Sequence, residues 1–167
     1  MTQAGNETAG MALQPAALAG KYLTFRLADE EYGLPIMKVQ EIIGMMRVTP
    51  LPRLPHNVRG VINLRGRIIP TIELRTTFGL EQTPDTEKTC IIVVDIAGRA
   101  GKVSAGIIVD EVAEVIYIGA GEVNGAPQFG AHPNTQFILG VGIVKGGVKI
   151  LLDVEKVLLS GGTMKAA

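Results

Sequence analysis

The stretch GVINLRGRIIPTIELRTT, residues 60–77, decides the fold of this chain. Two short runs rich in β-branched residues flank the pair Arg65-Gly66, and a glycine turn between such runs is typical of a β-hairpin. Pro70 lies in the second run. Because proline has no N–H for a sheet ladder, we expect that strand at a sheet edge or at a bulge. The stretch therefore predicts a β-hairpin whose returning strand is irregular.

A second copy of the same pattern lies near the C-terminus, in residues 140–154. The two stretches align without a gap, and the matched residues include Gly60 with Gly140, Arg65 with Lys145 and Glu73 with Asp153. A further match in the same order relates residues 33–42 to residues 106–115. Two ordered matches indicate that the chain contains two copies of one β-rich unit.

The composition is that of a globular protein with an aliphatic core. Hydrophobic residues make up 47% of the chain and charged residues 19%, with no Trp, three Tyr and four Phe. Copies of about 70 residues lie near the lower limit for independent stability, so we expect them to pack on each other along an apolar seam. The formal net charge is zero, which argues against electrostatic binding of nucleic acid or an anionic membrane by the chain as a whole.

Turn signals and alternating apolar residues predict about ten strands in two sets of five, which points to two small β-barrels packed together, with short helices. The predicted parts are a flexible tail over residues 1–20, a first unit over about 21–80, a linker over 81–87, a second unit over about 88–160 and a tail over 161–167. Terminal elements can be exchanged between the two units. The charge-free residues 123–144 carry too many polar residues and prolines for a membrane helix.

Local patterns add detail to this division. Residues 36–46 fit both helix and strand, and the β-branched residues of the matching segment 110–118 favour strand for both. Three prolines predict an extended surface loop over residues 48–57. Residues 73–80 and 153–160 are expected to form short helices, the second capped by Asp153 at its N-terminus. Residues 119–135 are expected to form a loop.

The only cysteine, Cys90, lies in an apolar run and is predicted to be a buried strand residue. A single cysteine forms no internal disulfide, which favours a reducing, cytoplasmic setting. The N-terminal residues lack the charge and the apolar run of a signal peptide. We therefore expect a cytoplasmic protein with no membrane insertion.

Catalytic chemistry is not indicated by any motif. His56 and His132 lie in loops without a second ligand at metal-binding spacing. Ser104 lacks the leading glycine of a nucleophile elbow, and the adjacent carboxylates Asp110-Glu111 are interpreted as solvated turn charges. We expect a non-enzymatic protein with no metal and no cofactor.

A stripe of five arginines without any acidic residue lies between residues 42 and 72; we call Arg47, Arg53, Arg59, Arg65 and Arg67 the arginine stripe. Three interpretations remain open: solvated charge, phosphate or nucleic-acid binding, and the polar rim of a protein interface. The shortage of aromatic residues for base stacking counts against nucleic acid. Glu41 is the acid that we expect to pair with Arg65, since an unpaired carboxylate between Val39 and Ile42 would be costly.

At these residues the chain resembles the CheW coupling-protein family of bacterial chemotaxis, over residues 21–159. The residues that carry the resemblance are Tyr32-Gly33, Lys38-Val39-Gln40-Glu41-Ile42, Pro55, Gly60-Val61-Ile62-Asn63-Leu64-Arg65-Gly66, Pro70 and Leu74. The resemblance implies two SH3-like five-stranded barrel subdomains and a non-enzymatic adaptor, monomeric when free and recruited to receptor arrays at the inner membrane. It implies two partners, the cytoplasmic tip of methyl-accepting chemotaxis receptors and the regulatory domain of the histidine kinase CheA.

The resemblance also implies the residues of both contacts. The receptor would bind a groove between the subdomains, formed by Ile36, Val39, Glu41, Leu64, Arg65 and Val115. The kinase would bind at Val48, Thr49, Gly60 and Phe129. Glu73 stands where the family usually has Asp. The alternative function is a β-barrel module that binds nucleic acid or phosphate through the arginine stripe.

Overall fold

The computed structural model of the chain describes residues 15–98, 101–125 and 136–159. Its strands are β1 (Gly20–Leu27), β2 (Glu30–Pro35), β3 (Val39–Gly44), β4 (Val58–Leu64), β5 (Arg67–Glu73), β6 (Cys90–Gly98), β7 (Gly101–Val109), β8 (Glu111–Ile118), β9 (Val123–Gly125), β10 (Ile138–Val144) and β11 (Gly147–Leu152). Its helices are α1 (Pro15–Leu18), α2 (Leu74–Thr77) and α3 (Val154–Leu159), with 3₁₀ turns at Ile36–Lys38 and Ala120–Glu122. None of the described helices is long and apolar enough to cross a membrane.

The strands form two sheets. One has six strands in the order β8-β1-β2-β11-β10-β9, and the other has five in the order β3-β6-β7-β5-β4. Neighbouring strands are antiparallel except for β2 with β11 and β5 with β7, which are parallel. The protein is therefore mainly β, with two SH3-like five-stranded units, one of which carries the additional edge strand β9.

The two sheets are equivalent strand for strand, which confirms the internal duplication. The order β8-β1-β2-β11-β10 in one sheet corresponds to β3-β6-β7-β5-β4 in the other. Apart from β9, each sheet takes two strands from one copy of the repeat and three from the other. The two sheets therefore do not correspond to residues 21–80 and 88–160 taken separately, because the copies exchange their first two strands.

Both hairpins at the centre of the repeat close through the same two-residue turn. Leu64 pairs with Arg67 around Arg65-Gly66, and Val144 pairs with Gly147 around Lys145-Gly146. All four turn residues have positive φ, at 53° and 89° in the first turn and 54° and 76° in the second. Positive φ at both central positions is the geometry of a type I′ turn, whose twist matches that of the flanking strands. The predicted hairpins are confirmed.

Gly60 and Gly140 lie at equivalent bulges where a second backbone segment comes very close. A Cβ atom on Gly60 would lie 2.3 Å from the Thr49 carbonyl oxygen, and one on Gly140 would lie 2.6 Å from that of Asn124. Thr49 exchanges two backbone hydrogen bonds with Val61, at 2.8 and 2.9 Å. Glycine is therefore required at both positions by close packing of the chain.

The prediction that the strand of Pro70 lies at a sheet edge holds only for part of that strand. Strand β5 lies inside the five-stranded sheet, between β7 and β4. Its pairing with β7 begins at Thr71, so residues 67–70 have a partner strand on one side only. The missing N–H of Pro70 therefore removes no hydrogen bond between β5 and β7.

Buried side chains form three clusters, and the largest joins the two sheets along the predicted apolar seam. It includes Leu23, Phe25 and Leu34 from the six-stranded sheet and Ile72, Ile92 and Ile107 from the five-stranded sheet. A second cluster fills the five-stranded sheet with Ile62, Leu64, Ile69, Ile91, Val93 and Ile108. A third, in the six-stranded sheet, contains Leu18, Tyr22, Ile118, Val123 and Leu151. Each fully buried aliphatic side chain contributes roughly 1.5–3 kcal/mol, so the seam fixes the two sheets as one unit.

Several local predictions are confirmed. Residues 36–38 form a 3₁₀ turn and β3 follows, so the strand interpretation holds for most of residues 36–46. Both predicted short helices are present as α2 and α3. The carboxylate of Asp153 accepts a hydrogen bond from the Lys156 N–H at 3.2 Å, as expected of an N-cap residue.

Other local predictions are corrected. Residues 15–20 belong to α1 and to the start of β1, because the side chain of Leu18 is buried and the Tyr22 hydroxyl donates to its carbonyl oxygen at 2.6 Å. Strand β9 lies within the predicted loop and is too short to show any periodicity. Cys90 begins β6 as predicted but is only partly buried.

Candidate functional site

Arg65 and Glu41 form an ion pair, as the sequence predicted. Arg65 is the first residue of the β4–β5 turn, and its side chain is 66% exposed. Its Nη2 donates to Oε2 of Glu41, which lies on β3 and is less exposed. The positive φ of Arg65 is set by the type I′ turn, so the turn itself fixes where its side chain begins.

This ion pair joins the two edges of the five-stranded sheet. Strand β3 forms one edge and β4, which precedes the turn, forms the other. Beneath the pair, the buried side chain of Leu64 belongs to the same cluster that Ile43 of β3 packs against. Because an exposed ion pair contributes less than about 1 kcal/mol, this pair adds little to the stability of the fold.

The remaining predicted receptor residues lie in two further places. Ile36 and Val39 are partly buried and pack against the seam between the sheets, as does Val112. Val115 lies on β8, the edge strand of the six-stranded sheet, and is 51% exposed. The structure therefore brings Glu41, Leu64 and Arg65 together, sets Ile36 and Val39 at the seam, and leaves Val115 on a separate edge strand.

The two equivalent edge strands, β3 and β8, both expose apolar side chains. Ile42 on β3 is 43% exposed and matches Val115 of β8 in the internal repeat. Sequence reasoning missed Tyr117, which follows Val115 with the period-two spacing of one strand face and is also exposed. It also missed Met37, the middle residue of the turn Ile36–Lys38 that leads into β3, which is 92% exposed. Clustered exposed apolar side chains of this kind mark interaction surfaces more often than isolated ones do.

The predicted kinase residues lie around the bulge of β4. Val48 is partly buried against the core of the five-stranded sheet, and Thr49 is exposed. Gly60 is buried, so it offers no side chain and acts by allowing Thr49 to come close. Phe129 lies outside the described residues.

The arginine stripe does not form one basic surface. Arg65 pairs with Glu41, and Arg67 donates to Ser104 Oγ at 2.6 Å. That hydroxyl in turn donates to Asp95 at 2.7 Å. Arg47, Arg53 and Arg67 are exposed, and the described residues provide no ion pair for any of the three; the fifth member, Arg59, is bound by two acids. Internal carboxylates therefore neutralise two of the five arginines, Arg59 and Arg65, and binding of nucleic acid or phosphate is not supported.

Arg59 connects a buried carboxylate with the linker between the copies. Its Nε donates to Oε1 of Glu73 at 2.8 Å, and Nη1 and Nη2 donate to Asp85 at 2.8 and 3.0 Å. The hydrogen bonds to Asp85 and Glu73 raise the pKa of Arg59, against the opposing effect of burial. Sequence reasoning missed this network. A usable signal was present, because Glu73 is an acidic residue between a buried strand and a helix.

Asp110, predicted to be a solvated turn charge, is instead bound by groups from two directions. Arg75 donates to both of its carboxylate oxygens, at 2.9 and 2.6 Å, and the Ala28 N–H donates to one of them at 2.8 Å. Burial alone would raise the pKa of Asp110, but the hydrogen bonds from Arg75 and Ala28 bring it below its ordinary value. The carboxylate therefore remains charged in the folded protein at neutral pH.

Metal-binding chemistry has no support in residues 15–98, 101–125 and 136–159. In these ranges no group of three or more His, Cys, Asp or Glu side chains is arranged to hold a metal ion. The described residues of the site are exposed apolar side chains on the edge strands β3 and β8, and an ion pair between β3 and the β4–β5 turn.

Comparison with known proteins gives consistent matches over most of the chain. A family model described as CheW-like domain matches residues 21–161. The chemotaxis protein CheW of Klebsiella aerogenes is 39% identical over 140 residues, 84% of this chain and 82% of that protein. The chemotaxis protein CheW of Helicobacter pylori is 32% identical over 138 residues, 83% of this chain and 81% of that protein. The crystal structure of the scaffolding protein TtCheW from Thermoanaerobacter tengcongensis matches with a TM-score of 0.77 and 32% identity, covering 90% of this chain and 100% of that one.

Proposed function

The chain belongs to the CheW-like domain family and is a chemotaxis adaptor, and we propose that it works by binding a chemoreceptor and a histidine kinase through separate surfaces. Similar proteins are named chemotaxis protein CheW, and the similar crystal structure is described as a scaffolding protein. A scaffold needs surfaces and no reaction centre. We accordingly propose that the protein itself catalyses no reaction and acts in the cytoplasm, at receptor arrays on the inner membrane.

The receptor surface is the region around the Glu41–Arg65 ion pair, and this pair is the observation that carries the proposal. It lies beside the apolar residues Val39 and Ile42 of β3, and above buried Leu64. Apolar area supplies affinity in such interfaces, and charges fix the orientation of the partner. The partner is the cytoplasmic tip of a methyl-accepting chemotaxis receptor, with Ile36 and Val115 completing the groove.

The kinase surface is the loop that pairs with β4, at Val48 and Thr49, together with Phe129. Thr49 is exposed and held by two backbone hydrogen bonds to Val61, which gives the loop a fixed shape. The absence of a side chain at Gly60 permits that pairing. The partner is the regulatory domain of the histidine kinase CheA, and the two partners then bind at different surfaces of the molecule.

The internal repeat supplies a matched control for the experiment. Arg65 and Lys145 occupy equivalent turn positions with φ of 53° and 54°, but only Arg65 pairs with an acid on β3. Calorimetric titrations of the full chain, of Arg65→Glu and of Lys145→Glu are made with a receptor-tip fragment and, separately, with the kinase regulatory domain. We expect Arg65→Glu to weaken receptor binding at least about tenfold, a loss of about 1.4 kcal/mol. We expect Lys145→Glu to change it less than about twofold and kinase binding to be unaffected by either change.

A charge exchange separates an effect on the pair from an effect on the partner. Glu41→Arg alone should weaken receptor binding, and Glu41→Arg with Arg65→Glu should recover part of the loss if the pair fixes the groove. Equal losses in Arg65→Glu and Lys145→Glu would contradict the proposed location of the receptor surface. No saturable binding of the unmodified chain to either partner would contradict the adaptor mechanism itself.

A further inference from the structure

The chain passes from one sheet to the other at two equivalent places. It leaves the six-stranded sheet after β2 and enters the five-stranded sheet at β3, through the turn Ile36–Lys38. It returns after β7 and enters the six-stranded sheet at β8, through Asp110 alone. The strands that begin at these crossings, β3 and β8, are both edge strands. An edge strand has a neighbour on one side only, so its direction depends strongly on how its first residue is held.

Each crossing is tied by an ion pair to the short helix that follows a hairpin. At the second crossing Asp110 pairs with Arg75 of α2, and at the first crossing Lys38 pairs with Glu155 of α3 at 2.7 Å. Arg75 and Glu155 occupy equivalent positions, since each is the second residue of its helix. A similar contact therefore occurs twice with its charges reversed: the acid lies on one crossing and the base on the other.

The Asp110 pair connects the two sheets through a single carboxylate. Arg75 approaches from the end of the five-stranded sheet, and the Ala28 N–H approaches from the β1–β2 turn of the six-stranded sheet. The backbone N–H of Asp110 also donates to the carbonyl oxygen of Arg26 at 3.2 Å. Two parallel hydrogen bonds from one guanidinium fix the direction of the bound carboxylate as well as its distance. Rotation of one sheet against the other would break several of these bonds together.

We propose that Asp110–Arg75 and Lys38–Glu155 are positioning pairs that fix the edge strands β3 and β8 relative to each other. Lys38 directly precedes Val39, and Asp110 directly precedes the first residue of β8, the strand that carries Val115. The pairs thereby set the width of the receptor groove between the two strands, a consequence that rests on the proposed function. The Asp110 pair has the larger effect because it is bidentate and less exposed than the Lys38 pair.

The test measures the arrangement of the two strands without any partner. Spin labels are attached through Gln40→Cys and Ala113→Cys, at exposed positions of β3 and β8, in the full chain with Cys90→Ala. The distance distribution between the labels is compared with that of the same chain carrying Arg75→Leu or Glu155→Gln. We expect Arg75→Leu to broaden or shift the distribution clearly and Glu155→Gln to do so slightly. An unchanged distribution in folded Arg75→Leu would overturn the positioning role.

A second set of variants keeps the test valid if Arg75→Leu does not fold. Lys38→Glu and Glu155→Lys each place like charges together, and the double exchange restores an attractive pair at the first crossing. We expect receptor-tip binding to weaken about three- to fivefold in each single variant and to recover in the double variant. Binding of the kinase domain should not change, because the loop of Val48 and Thr49 packs on the five-stranded sheet alone, away from the crossings. Equal losses for both partners, or no recovery in the double variant, would overturn the positioning role.

The two measurements distinguish this inference from the proposed function. If the label distances change but receptor affinity does not, the pairs fix the strands, and the receptor surface that we propose is contradicted. If neither the distances nor the affinity change, the positioning role fails and the receptor surface is unaffected.

Discussion

The two hairpin turns have one backbone geometry and different chemical surroundings. Arg65-Gly66 and Lys145-Gly146 have nearly the same φ values, and each turn lies between equivalent strands. Arg65 binds Glu41, whereas within the described residues the matching acid Glu114 forms no ion pair with Lys145. In the second copy β9 lies beside β10 and provides the edge, whereas in the first copy only Thr49 bridges to β4. Residues that the backbone requires are therefore repeated, and the side chains around the two turns differ between the copies.

The largest effect should come from the repeated backbone requirement. Gly60→Ala and Gly140→Ala each place a Cβ within 2.3 or 2.6 Å of a carbonyl oxygen, so one backbone segment must move. We expect each variant to lose about 3 kcal/mol of unfolding free energy, measured by urea denaturation. Gly44→Ala is the matched control, because nothing lies within 4 Å of its Cβ position, and it should change stability by less than about 0.5 kcal/mol. If Gly60→Ala is as mild as the control, the close approach of Thr49 is contradicted.

A smaller loss should follow from breaking the network that only the first copy has. Glu73 is 5% exposed and its carboxylate is bound by Arg59. In the second copy the position that matches Arg59 is occupied by Leu139. Arg59→Leu leaves a buried carboxylate without its partner and should cost about 2–3 kcal/mol in urea denaturation.

The control for that change is a substitution of Asp153, the residue that matches Glu73 in the second copy. Asp153→Ala, which removes only the cap of α3, should cost about 1 kcal/mol. Adding Glu73→Gln to Arg59→Leu should recover part of the larger loss, because the buried charge is removed. If Glu73→Gln makes the loss greater, the carboxylate is stabilised by groups other than Arg59.

Local sequence was sufficient for features that depend on neighbouring residues. The turn pairs, the short helices and the Asp153 cap follow from chain-local chemistry, and the Glu41–Arg65 pair followed from one polar residue amid apolar ones. The sequence allowed an exchange of terminal elements between the copies, but it could not specify which strands are exchanged, because a strand has the same alternating pattern whichever copy it pairs with. Asp85 lies in the predicted linker and Asp110 was interpreted as a solvated turn charge. Their ion pairs could not be predicted, since the partners Arg59 and Arg75 are distant in sequence.

The Asp110 ion pair should make stability depend on pH in the acidic range. Its pKa lies below the ordinary value of 3.8, and the charges around it are those of Arg75 and Arg26. A carboxylate with a lowered pKa stabilises the folded state fully above that ordinary value, and the contribution is lost as the pH falls through the folded pKa. Asp110→Asn should cost about 1–2 kcal/mol at pH 7 in urea denaturation, and the difference from the unmodified chain should shrink towards pH 3.

That pH profile also has a clear contrary outcome. A difference between the two proteins that stays constant from pH 7 to about pH 3 would mean that Asp110 contributes through packing or neutral hydrogen bonds, and not through its charge. The exposed residue Glu114 provides a control, since Glu114→Gln should change stability by less than about 0.5 kcal/mol at every pH.

The smallest effect on stability should be found at the two turns themselves. Arg65→Ala removes an exposed ion pair and should cost about 0.5 kcal/mol more than Lys145→Ala, in urea denaturation at low ionic strength. Because both residues have the same positive φ, the backbone cost of alanine cancels in the comparison. The difference should vanish in about 1 M salt, where the screening length falls to about 3 Å. If the difference in stability persists in salt, it comes from packing of the Arg65 side chain and not from the ion pair. If the two variants are equally stable at every salt concentration, the ion pair has no role in stability and its role is confined to binding.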